Sequence, residues 1–245
     1  YQPTVAEINS GQITLTLTST GNGNCVAVAD NITINFAPAP VANAGSNQTV
    51  CGNNATVALN GFVNFCAGGQ WSGGLGAFTP SPNALGASYT PTAGEISGGQ
   101  AQLILTTTGN GSCNAVRDTM IIFITPAPTA NAGSNLTSCA NNPDVTLGGS
   151  FTIASGGVWS GGTGTFAPNN TTMNAVYTPS AAEITAGGVT LTLTTTGNGT
   201  CLPATDVVTI TITISPSVNA GASQTICVNN LNVSLSGSVS GPTNT

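Results

Sequence analysis

The chain has 245 residues, 40% of them apolar, with one Lys or Arg, seven Asp or Glu, no histidine and a formal charge of −6. Without histidine there is no Ser/His or Cys/His nucleophile pair, no ordinary general base near neutral pH and no His-containing metal site, so an enzyme is not expected. A lone arginine leaves little with which to neutralise nucleic-acid phosphates or an anionic membrane, and neither is expected as a partner. In chain order, Thr4 and Glu7 open a short capped turn, and the alternation Ile13, Leu15, Leu17 reads as a strand with one face in water. After the joint Ala37-Pro38-Ala39-Pro40 come strand candidates at 48–50, 55–59 and 70–72, with weaker ones at 77–79 and 87–89. A second capped turn at Thr92 and Glu95 precedes a hairpin: Ala101, Leu103 and Leu105 alternate, Asn110-Gly111 suits a primed two-residue turn, and Met120, Ile122 and Ile124 alternate again.

The whole pattern then repeats without gaps. Cys25, Cys113 and Cys201 stand 88 residues apart (113 − 25 and 201 − 113), and the same offset relates Cys51, Cys139 and Cys227, Trp71 and Trp159, and Tyr1, Tyr89 and Tyr177. A period of that length is too long for a solenoid coil and close to the roughly 100 residues of an immunoglobulin-type sandwich. The expected fold is all-β: tandem immunoglobulin-like β-sandwich domains, one per 88-residue repeat, forming an extended rod. Proline-rich joints divide the chain into 1–40, the C-terminal part of a preceding repeat; 41–128 and 129–216, two complete repeats; and 217–245, the N-terminal part of a following repeat. The parent chain is accordingly expected to continue in both directions. No apolar run approaches the roughly 18 residues that span a bilayer, and any targeting segment is expected outside this sequence.

The recurring acids have structural explanations. Thr92 with Glu95, and Ser180 with Glu183, have capping-box spacing, in which the hydroxyl and carboxylate satisfy each other's backbone N–H, and the following Ile8, Ile96 or Ile184 is expected to plug the core. Asp30, Asp118 and Asp206 recur at the start of the last strand. A calcium site needs six to eight oxygens, typically with several carboxylates, so a turn or strand-start hydrogen bond is expected there and no metal or cofactor. Trp71, Trp159, Tyr89 and Tyr177 are expected in the core; for the tryptophans a sugar-stacking platform is the functional alternative. Asn-x-Ser/Thr sequons occur at Asn31, Asn47, Asn54, Asn110, Asn135, Asn169, Asn170, Asn198 and Asn232.

Seven cysteines without zinc-site spacing argue for disulfides and an oxidising compartment, hence an extracellular chain. The candidates are Cys25, Cys51, Cys113, Cys139, Cys201 and Cys227. If strands alternate as in an immunoglobulin-like sandwich, Cys51 and Cys113 lie at opposite domain ends about 25 Å apart, beyond disulfide reach. The same geometry brings the turn of one domain beside the last hairpin of the next, so Cys51 with Cys201 is the preferred pair, a staple contributing roughly 2 to 5 kcal/mol. Pairing within a domain, Cys51 with Cys113 and Cys139 with Cys201, stays open, as does Cys25 with Cys51. Cys66 has Ala154 at its equivalent position and is expected to be a free thiol.

The recurring Asn-Ala-Gly, Gln-Thr-Val-Cys, Trp-Ser-Gly-Gly, Tyr-Thr-Pro-x-x-x-Glu-Ile and Thr-Gly-Asn-Gly-x-Cys resemble the tandem immunoglobulin-like domains of giant cell-surface adhesins of gliding Bacteroidetes. Val41-Ala42-Asn43-Ala44-Gly45 and the last hairpin are also similar to PKD-type domains, although Trp71-Ser72-Gly73-Gly74 replaces their Asp-rich turn. The resemblance implies a cell-surface location, type IX secretion and a role in adhesion or gliding. Asp118-Thr119-Met120 also resembles the short O-glycosylation motif of that phylum, which makes Thr119 a candidate acceptor. The expected function is a non-catalytic stalk whose partners are further repeats of the same chain, with surface glycans or other cells met by a distant tip. The alternatives are a laterally self-associating filament or sheath protein, and a spacer or carbohydrate-binding module of a secreted enzyme.

Overall fold

The computed structural model describes residues 1–229 and 231–241, so the end of the expected segment 217–245 lies outside the described residues. The chain is all-β and made of immunoglobulin-like β-sandwiches. It divides into two compact units, one formed by Tyr1–Val50 and Ala55–Ile124, the other by Cys51–Asn54 with the chain from Thr125 onward.

In the first unit Gln100–Thr108 and Arg117–Thr125 pair antiparallel at the centre of a four-stranded sheet, flanked by Gly68–Gly73 on one side and Gln48–Cys51 on the other. The second sheet is built from Val57–Ala58, Ser88–Thr90 and Ala77–Thr79, and a short ribbon pairs Val41–Asn43 with Phe62–Asn64. The second unit repeats the plan, and there Leu136–Cys139 runs parallel to Thr205–Thr213. Alternation explains the long strands: in Gln100–Thr108 every second residue from Ala101 to Thr107 is buried, which fixes the register because a one-residue slip would turn all of them to water.

The inward residues meet in one cluster per unit. Trp71, Tyr89, Leu103, Leu105, Met120 and Ile122 fill the first, and Trp159, Tyr177, Leu191, Leu193, Val208 and Ile210 the second, all at 1% exposure or less. Tyr89 and Tyr177 each carry a phenylalanine, Phe78 and Phe166, at ring-centroid distances of 4.9 and 4.8 Å. Burial of both tryptophan rings withdraws the sugar-platform alternative: no face is open to a ligand, and each indole N–H donates inward, Trp71 to the carbonyl of Leu85 and Trp159 to that of Met173.

Two local expectations are corrected. The last hairpin is not closed by a two-residue Asn110-Gly111 turn. The strands end at Thr108 and resume at Arg117, and the intervening loop is organised by Asn110, whose amide donates to the Thr107 carbonyl. Thr107 in turn accepts from Val116 N–H through its buried hydroxyl, so side chains hold the loop open where a tight turn would have pinched it. Ile96 and Ile184 pack against their cores, but Ile8 is 48% exposed in the capped turn at Val5–Asn9 and plugs nothing.

The tryptophans need glycine opposite them. A Cβ on Gly149 would stand 2.7 Å from Trp159 Cζ2 and 3.2 Å from the Met173 carbonyl, whereas one on the preceding Gly148 meets nothing within 4 Å. Gly149→Ala is therefore expected to destabilise the second unit by about 1–3 kcal/mol. Gly148→Ala should change it by less than about 0.5 kcal/mol. Urea unfolding of the two variants side by side checks this, and equal losses would contradict the packing described.

Candidate functional site, a cysteine joint

The strand Gln48–Cys51 ends in a turn in which Asn54 N–H donates to the Cys51 carbonyl and Gly52 N–H to the Thr125 carbonyl. This turn, Cys51–Asn54, is enclosed in sequence by the first unit but belongs by packing to the second. There it meets the loop between Thr196 and Thr205. Asn198 shapes that loop by donating to the Thr195 carbonyl and accepting from Cys201 N–H through its own backbone carbonyl. Cys51 and Cys201 are disulfide-bonded, with an S–S distance of 2.10 Å, a Cα–Cα distance of 5.0 Å and a sequence separation of 150. Cys51 is fully buried, and both sulfurs lie 3.8 Å from the carbonyl oxygen of Pro126. Beside the bond, the Asn53 side chain brackets the backbone of Leu202: its amide donates to the Leu202 carbonyl at 2.9 Å and its oxygen accepts from Leu202 N–H at 3.1 Å.

Cys25, Cys66, Cys113, Cys139 and Cys227 are free thiols. Cys66 is half-buried with its sulfur 3.4 Å from the Gly68 carbonyl. Asn53 was missed in reading the sequence, although Asn141 and Asn229 repeat it at the 88-residue offset and could have drawn attention to it.

The recurring acids are all engaged with backbone. Thr92 and Ser180 cap Ala93–Gly98 and Ala181–Ala186 in full capping boxes with Glu95 and Glu183. Glu95 does more than cap: Oε2 accepts from Thr92 N–H and hydroxyl, while Oε1 accepts from Leu75 N–H at 2.8 Å and from the Tyr89 hydroxyl at 2.7 Å. Glu183 repeats the arrangement with Thr163 N–H and Tyr177. One carboxylate thus ties a helical turn, a loop and a core tyrosine. Asp118 accepts from Ala44 N–H at 2.7 Å and Asp206 from Ala132 N–H at 2.8 Å, anchoring the Asn-Ala-Gly stretch that the side chains of Asn43 and Asn131 fold into a turn on Gly45 and Gly133. Asp30 accepts from the neighbouring Asn31 N–H, at 2.9 Å.

Among the described residues, no group of three or more His, Cys, Asp or Glu comes together, and no helix is long and apolar enough to cross a membrane. Thr119 lies on an exposed position opposite Ile104. Of the sequons, Asn110 and Asn198 spend their amides on the last-hairpin loops, and the side-chain oxygens of Asn47 and Asn135 accept from Ile121 and Thr209 N–H.

No family model and no curated protein matches the chain. Among solved structures it is similar to protocadherin gamma B2 extracellular cadherin domains 3-6 at 12% identity and a TM-score of 0.33, covering 87% of this chain and 60% of that one. It is also similar to Drosophila N-cadherin EC1-4 at 10% identity and a TM-score of 0.41, covering 76% of this chain and 52% of that one. Mouse cadherin-23 EC22-24 gives 15% identity, a TM-score of 0.37 and coverage of 87% and 78%. The chain thus spans between about half and four-fifths of these structures.

The carboxylate–tyrosine pairs predict how stability depends on pH. Burial pushes the Glu95 carboxyl up, but hydrogen bonds from Thr92 N–H, the Tyr89 hydroxyl and Leu75 N–H outweigh it and hold the group below its ordinary 4.5; Glu183 behaves alike. Burial and then the bond to Glu95 push Tyr89 up to about 12, and Tyr177 follows with Glu183. Depressed carboxyls give stability that is present above pH 4.5 and lost as pH falls through their folded values; raised tyrosines give stability that is present below pH 10 and lost as pH climbs towards about 12. The melting temperature should be level between about pH 5 and 9 and fall on both sides. Glu95→Gln/Glu183→Gln should melt lower at neutral pH with a shallower acid limb, and an acid limb as steep as that of the unmodified chain would contradict the assignment.

Proposed function

We propose that this chain is a load-bearing, non-catalytic stalk segment of a large extracellular repeat protein. It would comprise two whole repeats at 41–128 and 129–216, the end of a preceding one within 1–40 and the start of a following one within 217–245. The observation that carries the reading is the Cys51–Cys201 bond, which ties residues of two different sequence repeats through a turn and a loop shaped for it. A bond of that span suits a chain pulled from its ends better than one that turns over substrate. The chemistry on offer agrees: no histidine, one cation, and recurring acids engaged with backbone N–H groups. The motif resemblance extends the proposal to adhesins of gliding Bacteroidetes, exported by the type IX route to the cell surface, with further repeats of the same chain as partners and surface glycans or other cells met by a distant tip.

Pulling the chain by its termini tests the mechanical part. With the disulfide intact, force bypasses the 150 residues between Cys51 and Cys201, and those residues add no length when they unfold. At about 3.4 Å per extended residue, roughly 500 Å of contour length should appear only after reduction. Single-molecule traces with and without reductant should differ by that amount, and equal contour lengths would contradict a stapled stalk. Lateral bundling of the purified chain would favour the sheath protein instead.

A further inference from the structure

Two of the free thiols repeat the backbone contacts of the closed joint at the 88-residue offset. Cys113 stands 88 residues before Cys201, and its sulfur lies 3.8 Å from the Pro38 carbonyl, just as Cys201 lies 3.8 Å from that of Pro126. Its N–H donates to the Asn110 carbonyl at 3.0 Å, as Cys201 N–H does to that of Asn198. Cys139 stands 88 residues after Cys51, with its sulfur 3.9 Å from the Ile214 carbonyl, where Cys51 lies 3.8 Å from Pro126. The turn is the same too: Asn142 N–H donates to the Cys139 carbonyl and Ala140 N–H to the Thr213 carbonyl, matching Asn54 to Cys51 and Gly52 to Thr125. Asn141 occupies the place of the bracketing Asn53.

We propose that Cys113 and Cys139 are the open halves of two further joints of the Cys51–Cys201 type, each closed by a cysteine of an adjoining repeat of the same protein; this rests on the stalk reading above. Cys139, with Asn141, takes the last-hairpin cysteine of the repeat that follows, and Cys113 takes the turn cysteine of the repeat that precedes. The two sides of the joint make different demands. The turn side needs an asparagine, which stands at Asn53, Asn141 and Asn229, whereas the hairpin side offers only backbone, and Val26, Asn114 and Leu202 differ freely there. Cys139 is half-exposed where its bonded equivalent Cys51 is fully buried, as a half-joint should be. Cys66 shares none of this, lacking both the offset and the turn. Closure joins two thiols with loss of two protons and two electrons. A small or protein disulfide accepts the electrons and leaves as two thiols.

The test lengthens the full chain by a second copy of residues 129–216 inserted after Pro216, marked by Thr137→Ser beside its turn cysteine and Thr200→Ser beside its hairpin cysteine in the inserted copy alone, and oxidises it with glutathione disulfide. The insert adds two cysteines, yet the alkylatable thiols should stay at the five of the original chain. A thermolysin digest without reduction should join the unmarked Cys139 peptide to the marked Cys201 peptide while Cys51 keeps the unmarked Cys201. Seven reactive thiols with the Cys51–Cys201 peptide intact overturn this inference and leave the stalk reading standing. Any other partner for the marked Cys201 overturns it as well. Loss of the Cys51–Cys201 peptide itself overturns both.

Discussion

A single cation in 245 residues means that the acids of this chain cannot be neutralised by ion pairs, so whatever carboxylates the fold takes in must be satisfied by backbone N–H groups. Glu95 and Glu183, each only 8% exposed, meet that constraint by gathering N–H donors from a capped turn and a loop, together with a core tyrosine. Asp118 and Asp206 meet it by reaching back to the first strand region of their own repeats. The four side chains act as tie points between segments far apart in sequence, which short strands of two or three residues could not provide by pairing alone. The same economy runs through the loops, where Asn110, Asn198, Thr107 and Thr195 hold backbone with uncharged side chains.

With each repeat held together in this way, the cysteine joint adds something of a different kind. The disulfide, buried on its Cys51 side and flanked by the Asn53 bracket, ties the Cys51–Asn54 turn covalently to the loop after Thr196, which a patch of apolar contact would not do. The bracket needs one defined side chain and otherwise reads backbone, so repeats can diverge in sequence on the hairpin side without losing the joint. The sequence already shows that tolerance, with Val26, Asn114 and Leu202 at equivalent positions.

Much of this was legible in the sequence for physical reasons. The gap-free offset of 88 residues gave the repeat, and the alternation from Ala101 to Leu105 and from Met120 to Ile124 gave the central hairpin, because burial on one face of a sheet imposes period two. Thr92 to Glu95 announced its capping box because that motif is local. The ribbon of Val41–Asn43 with Phe62–Asn64 was not legible, since three residues do not complete a pattern. Nor were the reach of Asp118 to Ala44 and the Tyr89–Glu95 bond, which have no signature along the chain. The loop after Thr108 misled because Asn110-Gly111 suits a tight turn, whereas Thr107 and Asn110 spend their side chains holding a longer one.

The cysteine joint rests on the pairing of Cys51 with Cys201. A digest of the unreduced, unmodified chain, read by mass spectrometry, should yield one cross-linked peptide pair joining Cys51 to Cys201, with Cys25, Cys66, Cys113, Cys139 and Cys227 alkylated. A peptide joining Cys51 to Cys113 or to Cys25 would contradict it, because the staple would then lie within one repeat or between different neighbours, and the turn and loop described here would not be its two halves.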